Sequence, residues 1–147
     1  GRDPRGRVLT VAYYALVQSA EGLPGSGVLS RIDVPWEAET GGPVSATVDS
    51  EGQVPLAFDH EDVLGMAVKR IRGKLNYTPI GFQLLPDSFT LRQLQTVHET
   101  VLGRMLNKDS FRRRMIQSGQ LEATGERQQS VGHRPAELYR FVRRSAI

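Results

Sequence analysis

Between Asp59 and Leu75 the apolar residues Val63, Leu64, Ala67, Val68, Ile71 and Leu75 recur three and four positions apart. That spacing gathers them on one stripe of an α-helix. Asp59 stands where an N-cap belongs. Glu61 and Asp62 fill the first turn and Arg70, Arg72 and Lys74 the last, which suits the helix dipole; only His60 runs against it. A second helical stripe holds Leu91, Leu94, Val97, Val101 and Leu102, with Thr90 and Gln93 as a T-x-x-Q capping box and Gly103 as its stop. A third helix is expected from about Lys108 to Ser118, with Phe111, Met115 and Ile116 as its buried side and Gly119 in the C′ position.

The remaining stretches read as strands and connectors. "RVLTVAYYALV", residues 7–17, is apolar on both alternating faces, the mark of a strand buried on both sides. Such a strand needs neighbours, so the chain reads as a fold whose first part is absent. "QSAEGLPGSGVLSR" is loop by composition. Short strands are expected in "IDVPWEAE" and "GPVSATVD", confined to edges or ends by Pro35 and Pro43, and "SEGQ" reads as a turn. "NYTPIGFQLLPDS" reads as a connector and marks a boundary between residues 1–76 and 77–147. "LEATGERQQ" and "PAELYRFV" read as two strands joined around "SVGHR". Helix, turn, helix and basic hairpin is the order of a winged helix.

Charge sharpens that picture. Residues 1–76 carry eight Lys/Arg against ten Asp/Glu, a net of −2, while residues 77–147 carry eleven against six, a net of +5. A basic second part is a reason to look there for a nucleic-acid partner. The chain has no cysteine, which rules out disulfides and thiolate metal sites. No apolar run approaches the roughly 18 residues of a membrane span, and no signal peptide opens the sequence. The expectation is a soluble, cytoplasmic protein without a membrane partner.

Three blocks carry a resemblance to a known family: "GRDPRGRVLTVAYYALV", "LAFDHEDVLGMAVKRIRGKL" and "FTLRQLQTVHETVLGRMLNKDSFRRRMIQSGQLEATGE…GHRPAELYRF". They resemble the Nudix-related transcriptional regulators of NAD metabolism, most specifically in "SFRRRM" and "RPAELYRF". The resemblance implies an α+β chain, the C-terminal half of a Nudix α/β/α sandwich followed by a winged helix-turn-helix domain. It also implies an ADP-ribose-like ligand for the Nudix part, a double-stranded DNA operator for the winged helix, and a homodimer. The Nudix signature G-x5-E-x7-R-E-x2-E-E-x-G is absent from the sequence. Its carboxylates bind the Mg²⁺ that polarises a pyrophosphate, so Mg²⁺ belongs only to a complete Nudix domain, and the chain as it stands is not expected to hydrolyse ADP-ribose.

The candidate DNA contacts are Ser110, Arg113, Arg114 and Gln117 on the third helix, with Arg127, His133 and Arg134 in the hairpin. Arg112 falls on the core-facing arc of that helix, where it would snorkel past the core edge or pair with an acidic neighbour. The bland alternative is that all three consecutive arginines are simply solvated. Arg2, Arg5 and Arg7 are candidate ligand contacts, although a basic chain end is more often only surface. His60 and His98 have no metal-like spacing and read as structural or exposed. Trp36 reads as core rather than a purine stack. Glu37 and Glu39 would suit a general base but have no metal to work with. Three functions fit: a DNA-binding regulator sensing an ADP-ribose-like metabolite, a Nudix hydrolase whose catalytic half is missing, or a domain using the basic hairpin to bind an acidic protein.

Overall fold

The computed structural model describes residues 11–19, 21–22, 28–35, 44–48, 51–75, 78–129, 132 and 134–142. The chain divides into two compact units, Gly1–Asn76 and Tyr77–Ile147.

In the first unit three short strands, β1 (Arg31–Asp33), β2 (Ser45–Val48) and β3 (Gly52–Val54), form an antiparallel sheet in that order. Gly52, at φ 76, takes the left-handed conformation in the tight β2–β3 turn, where Glu51 N–H donates to Val48 O. Of the expected "SEGQ" turn, Ser50 lies outside the described residues, Glu51 is turn, and Gly52 and Gln53 open β3. Helix α1 (His60–Lys74) follows, with Ile71 and Leu75 of the apolar stripe buried and Val63, Leu64, Ala67 and Val68 half-buried. Asp59 occupies the N-cap position, but its side chain makes no capping hydrogen bond; its φ and ψ of −107° and 21° lie outside the extended region in which an N-cap carboxylate reaches back to the helix.

One expectation fails in this unit. Residues 7–10 of the expected buried strand lie outside the described residues, and Val11–Val17 form no strand and are exposed apart from half-buried Leu16. A strand apolar on both faces is stable only when paired and covered, and none of the described strands pairs with this segment. Arg72 stands in the basic last turn of α1, as the sequence places it. It is also buried, and it donates to Val34 O and, at 3.4 Å, to Pro35 O. Burial lowers its pKa, with Asp33 acting in the opposite sense. The guanidinium thus satisfies two carbonyls just beyond the end of β1.

The second unit opens with a 3-10 turn, Pro79–Leu84, then β4 (Phe89–Thr90), α2 (Leu91–Leu102), α3 (Lys108–Gln117), β5 (Leu121–Arg127) and β6 (Glu137–Phe141). The three strands form an antiparallel sheet in the order β4-β6-β5, the layout of a winged helix. The presumed connector is part of the core: Phe82 and Leu85 are buried with Phe89, Leu91, Leu94, Phe111, Met115 and Tyr139. Phe82 stacks on Phe141 with ring centroids 4.4 Å apart. Proline marked the irregular backbone there correctly but says nothing about where neighbouring side chains go.

Local chemistry sets the helix ends. The Thr90 hydroxyl accepts from Gln93 N–H at 3.2 Å while Gln93 Oε1 accepts from Thr90 N–H at 2.8 Å, a complete capping box. Gly103 ends α2 at φ 67, and Gly119 follows α3 at φ 66. Asn107 caps α3, its Oδ1 accepting from Ser110 N–H at 2.9 Å. Thr90→Ala is expected to lower the stability of this unit by about 1 kcal/mol, read as a fall in denaturant midpoint at unchanged slope; a midpoint equal to the parent's would show that the box contributes nothing.

Candidate nucleic-acid interface

The turn between α2 and α3 is clamped from one side. Gln95 Nε2 donates to Glu99 Oε1 at 2.8 Å and to Leu106 O at 3.0 Å, and Leu106 N–H donates to the same Glu99 oxygen at 2.9 Å. Both backbone groups of Leu106 are thereby satisfied by side chains one helical turn apart. The Leu106 N–H and then Gln95 hold the Glu99 carboxyl below its usual pKa. This fixes the angle at which α3 leaves the turn.

Helix α3 buries only Phe111 and Met115, at 3% and 4% exposure. Ile116, expected on the buried side, is 47% exposed. The reason is geometric: at about 100° per residue, Ile116 lies roughly 140° from Phe111 and 100° from Met115, beyond the edge of a two-residue stripe. The axis of burial therefore runs between Phe111 and Met115. This revises the arginines as well. Arg112 and Arg114 flank the stripe on opposite sides, and Arg113 points directly away from the core.

The flanking arginines have different partners. Arg112 is exposed rather than core-facing, and it hydrogen-bonds the hydroxyl of Tyr139 on β6. That hydroxyl donates to Glu137 Oε2 at 2.6 Å, so Arg112 does reach an acidic neighbour, through the tyrosine. Burial, then the bond to Glu137, raises the Tyr139 pKa. The Arg114 guanidinium lies 5.5 Å from the centre of the Phe111 ring, a cation–π distance. The same ring meets His98 edge-on at 5.0 Å. His98 is buried at 1% exposure, its Nδ1 has no hydrogen-bond partner, and burial, with Arg114 second, pushes its pKa down to about 4. The imidazole is neutral and part of the α2–α3 packing.

Ser110, Arg113, Arg114 and Gln117 are all exposed on α3. Arg127 is exposed at the end of β5, in register with Glu137, and Arg134 is exposed just before β6. His133 lies outside the described residues, as do Arg2, Arg5, Arg7, Trp36, Glu37 and Glu39. The hairpin contains an irregularity: Ala123 pairs with Tyr139 but Arg127 with Glu137, so β5 spends two extra residues there. Gly125, at φ 78, supplies the backbone conformation this requires, and Thr124 Oγ1 donates to Leu138 O at 3.1 Å beside it. Sequence reasoning missed Tyr139, Glu137, Gln95 and Glu99 because each acts across a fold contact. Among the described residues no group of three His, Asp or Glu side chains is placed to hold a metal ion.

Comparison with known proteins separates the two units. Residues 81–141 match the NrtR DNA-binding winged helix domain. This unit is a winged helix of the NrtR type. The likeness reaches further: the chain is 39% identical over 141 residues, 96% of its length, to the ADPR responsive transcriptional repressor NtrR of Acinetobacter baylyi. The chain is thus similar to that repressor over nearly its whole length. It spans about half, 52%, of that repressor. Shewanella oneidensis NrtR complexed with a 27mer DNA superimposes with a TM-score of 0.51 at 39% identity, covering 60% of this chain and 40% of that one. A second crystal structure of Shewanella oneidensis NrtR gives a TM-score of 0.50 at 36% identity, covering 67% of this chain and 45% of that one. That share exceeds the NrtR-type unit alone, so the structural likeness extends into the first unit. Among the described residues no helix is long and apolar enough to cross a membrane.

Proposed function

We propose that this chain belongs to a cytoplasmic transcriptional regulator that binds operator DNA through its NrtR-type winged helix and responds to ADP-ribose or a related NAD metabolite. The observation that carries the DNA reading is α3: a clamped, capped helix whose outward face is Ser110, Arg113 and Gln117, flanked by Arg114, in the half of the chain with a net charge of +5. Helices of this kind enter the major groove. Arg113, opposite the buried stripe, reads bases or grips phosphate; Arg114 reaches the phosphates at the groove edge; Arg127, His133 and Arg134 belong to the wing. A single winged helix reads a short half-site, so a homodimer on a palindrome supplies the specificity. The metabolite reading rests on the ADPR-responsive repressor, with Arg2, Arg5 and Arg7 as candidate ligand contacts. Hydrolysis is not part of the proposal, because the metal-binding signature is absent and a complete Nudix domain with Mg²⁺ would be needed.

The test is duplex binding across a salt series. The parent chain is expected to bind with an affinity that falls steeply with salt. Arg113→Ala should lose about 1–3 kcal/mol against a selected duplex if it reads a guanine. Arg114→Ala should weaken all duplexes alike and flatten the salt slope by about 1. Both variants should melt like the parent. If both bind like the parent, α3 is not the recognition helix. Salt-sensitive binding to an acidic protein, with no affinity for duplex DNA, would favour the interaction-domain reading.

A further inference from the structure

Ile116 is the one large apolar side chain exposed on α3, where every other exposed residue is polar or charged. Relative to the Phe111–Met115 line, Ile116 and Gln117 sit on either side of Arg113. The three share the third of the helix surface farthest from the core. We infer that Ile116 is a specificity-determining residue that packs on the C5-methyl group of a thymine in the major groove. The inference rests on α3 being the recognition helix, as proposed above.

The argument is one of chemical matching. The edges of the bases in the major groove present hydrogen-bond donors and acceptors, and one apolar group, the thymine methyl. A β-branched side chain beside Arg113 and Gln117 has no other apolar surface to meet in that groove. Its position is firm: α3 is capped at Asn107 and its turn is held at Leu106, and an isoleucine in a helix has essentially one χ1 rotamer. The neighbouring Gln117 can pair bidentately with adenine and Arg113 with guanine. Together they specify a short stretch in which a thymine lies beside the bases those two read. Ile116 therefore adds discrimination against cytosine and against uracil at that position, which no charged residue on the helix supplies.

The experiment removes the methyl from the DNA and the side chain from the protein in turn. The tightest duplex is selected from a randomised library with the full chain. Each thymine of that duplex is then replaced singly by uracil, which deletes only the methyl. For the parent chain, one position per half-site is expected to lose about fourfold in affinity, the equivalent of unburying one methyl group. Ile116→Ala should bind the thymine duplex about as weakly as the parent binds the uracil duplex, and should no longer distinguish the two. Ile116→Val, which keeps the branched contact, should retain the distinction. Ile116→Ala should also melt like the parent, since the side chain is half exposed. If no uracil substitution weakens the parent, or if Ile116→Ala loses affinity equally for thymine and uracil duplexes, Ile116 does not read a methyl. Failure to select any sequence at all overturns the DNA reading itself, and the inference falls with it.

Discussion

Phe111→Ala is expected to destabilise the winged helix by about 3–5 kcal/mol, the usual cost of emptying a buried phenylalanine site. A domain of this kind is typically stable by roughly 5–15 kcal/mol, so the variant should stand near the edge of folding at ambient temperature. Phe111 is 3% exposed and in the middle of the core shared by α2, α3 and β6. It also carries two ring contacts: buried His98 packs edge-on against it, and exposed Arg114 lies over it. Alanine therefore leaves a cavity under α3 and releases Arg114 at once. Phe111→Leu keeps most of the apolar volume and should cost far less. Denaturant unfolding followed by far-UV circular dichroism distinguishes the two. A Phe111→Ala midpoint close to the parent's would mean that this core is not the one that holds α3.

The second large effect is acid destabilisation through His98. Its pKa is pushed down to about 4 in the folded chain, against an ordinary value of 6.5. The unfolded state then binds the proton more readily than the folded one. Stability is whole above pH 6.5, declines as pH falls from 6.5 towards 4, and changes no further from this group below that. The full loss is about 3 kcal/mol. Glu99 acts in the same direction but in a separate window: its pKa is below the ordinary carboxylate value of 4.5, so its contribution is present above 4.5 and disappears as pH falls below it. Melting curves from pH 7.5 to 4.5 therefore isolate the histidine. His98→Leu removes both the titrating group and the unpartnered Nδ1 and should flatten that part of the profile. A variant that loses stability between pH 6.5 and 4.5 as steeply as the parent would place the acid sensitivity elsewhere.

Features with a local cause were legible in the sequence. Thr90 and Gln93 three apart, Gly103 after the last apolar residue and Gly119 after Ser118 each act within one turn of chain, and each sits where the pattern placed it. The basic hairpin was legible too, because alternation and turn residues mark strands without reference to a partner. What depends on distant chain was not. Val11–Val17 has the pattern of a buried strand, yet a pattern cannot supply the strands that would flank it. β4 is two residues long and exists only through pairing with β6. Ile116 was misplaced because three apolar residues on a ten-residue helix leave the centre of the buried arc uncertain by several tens of degrees. The same error misassigned Arg112. The candidate interface was thus legible as a set of residues on one helix, while their separate roles depended on two burial values and a tyrosine hydroxyl.

The clamp on Leu106 has a consequence for sequence drift. Gln95 and Glu99 grip the N–H and the carbonyl of the turn, groups that every residue except proline provides. Within the turn the side chain of Met105, immediately before the gripped residue, is 77% exposed. The joint between the two helices can therefore change its residue at position 105, or carry a chemical label there, while keeping its angle. The information that sets that angle is stored one element upstream, in two polar residues of α2.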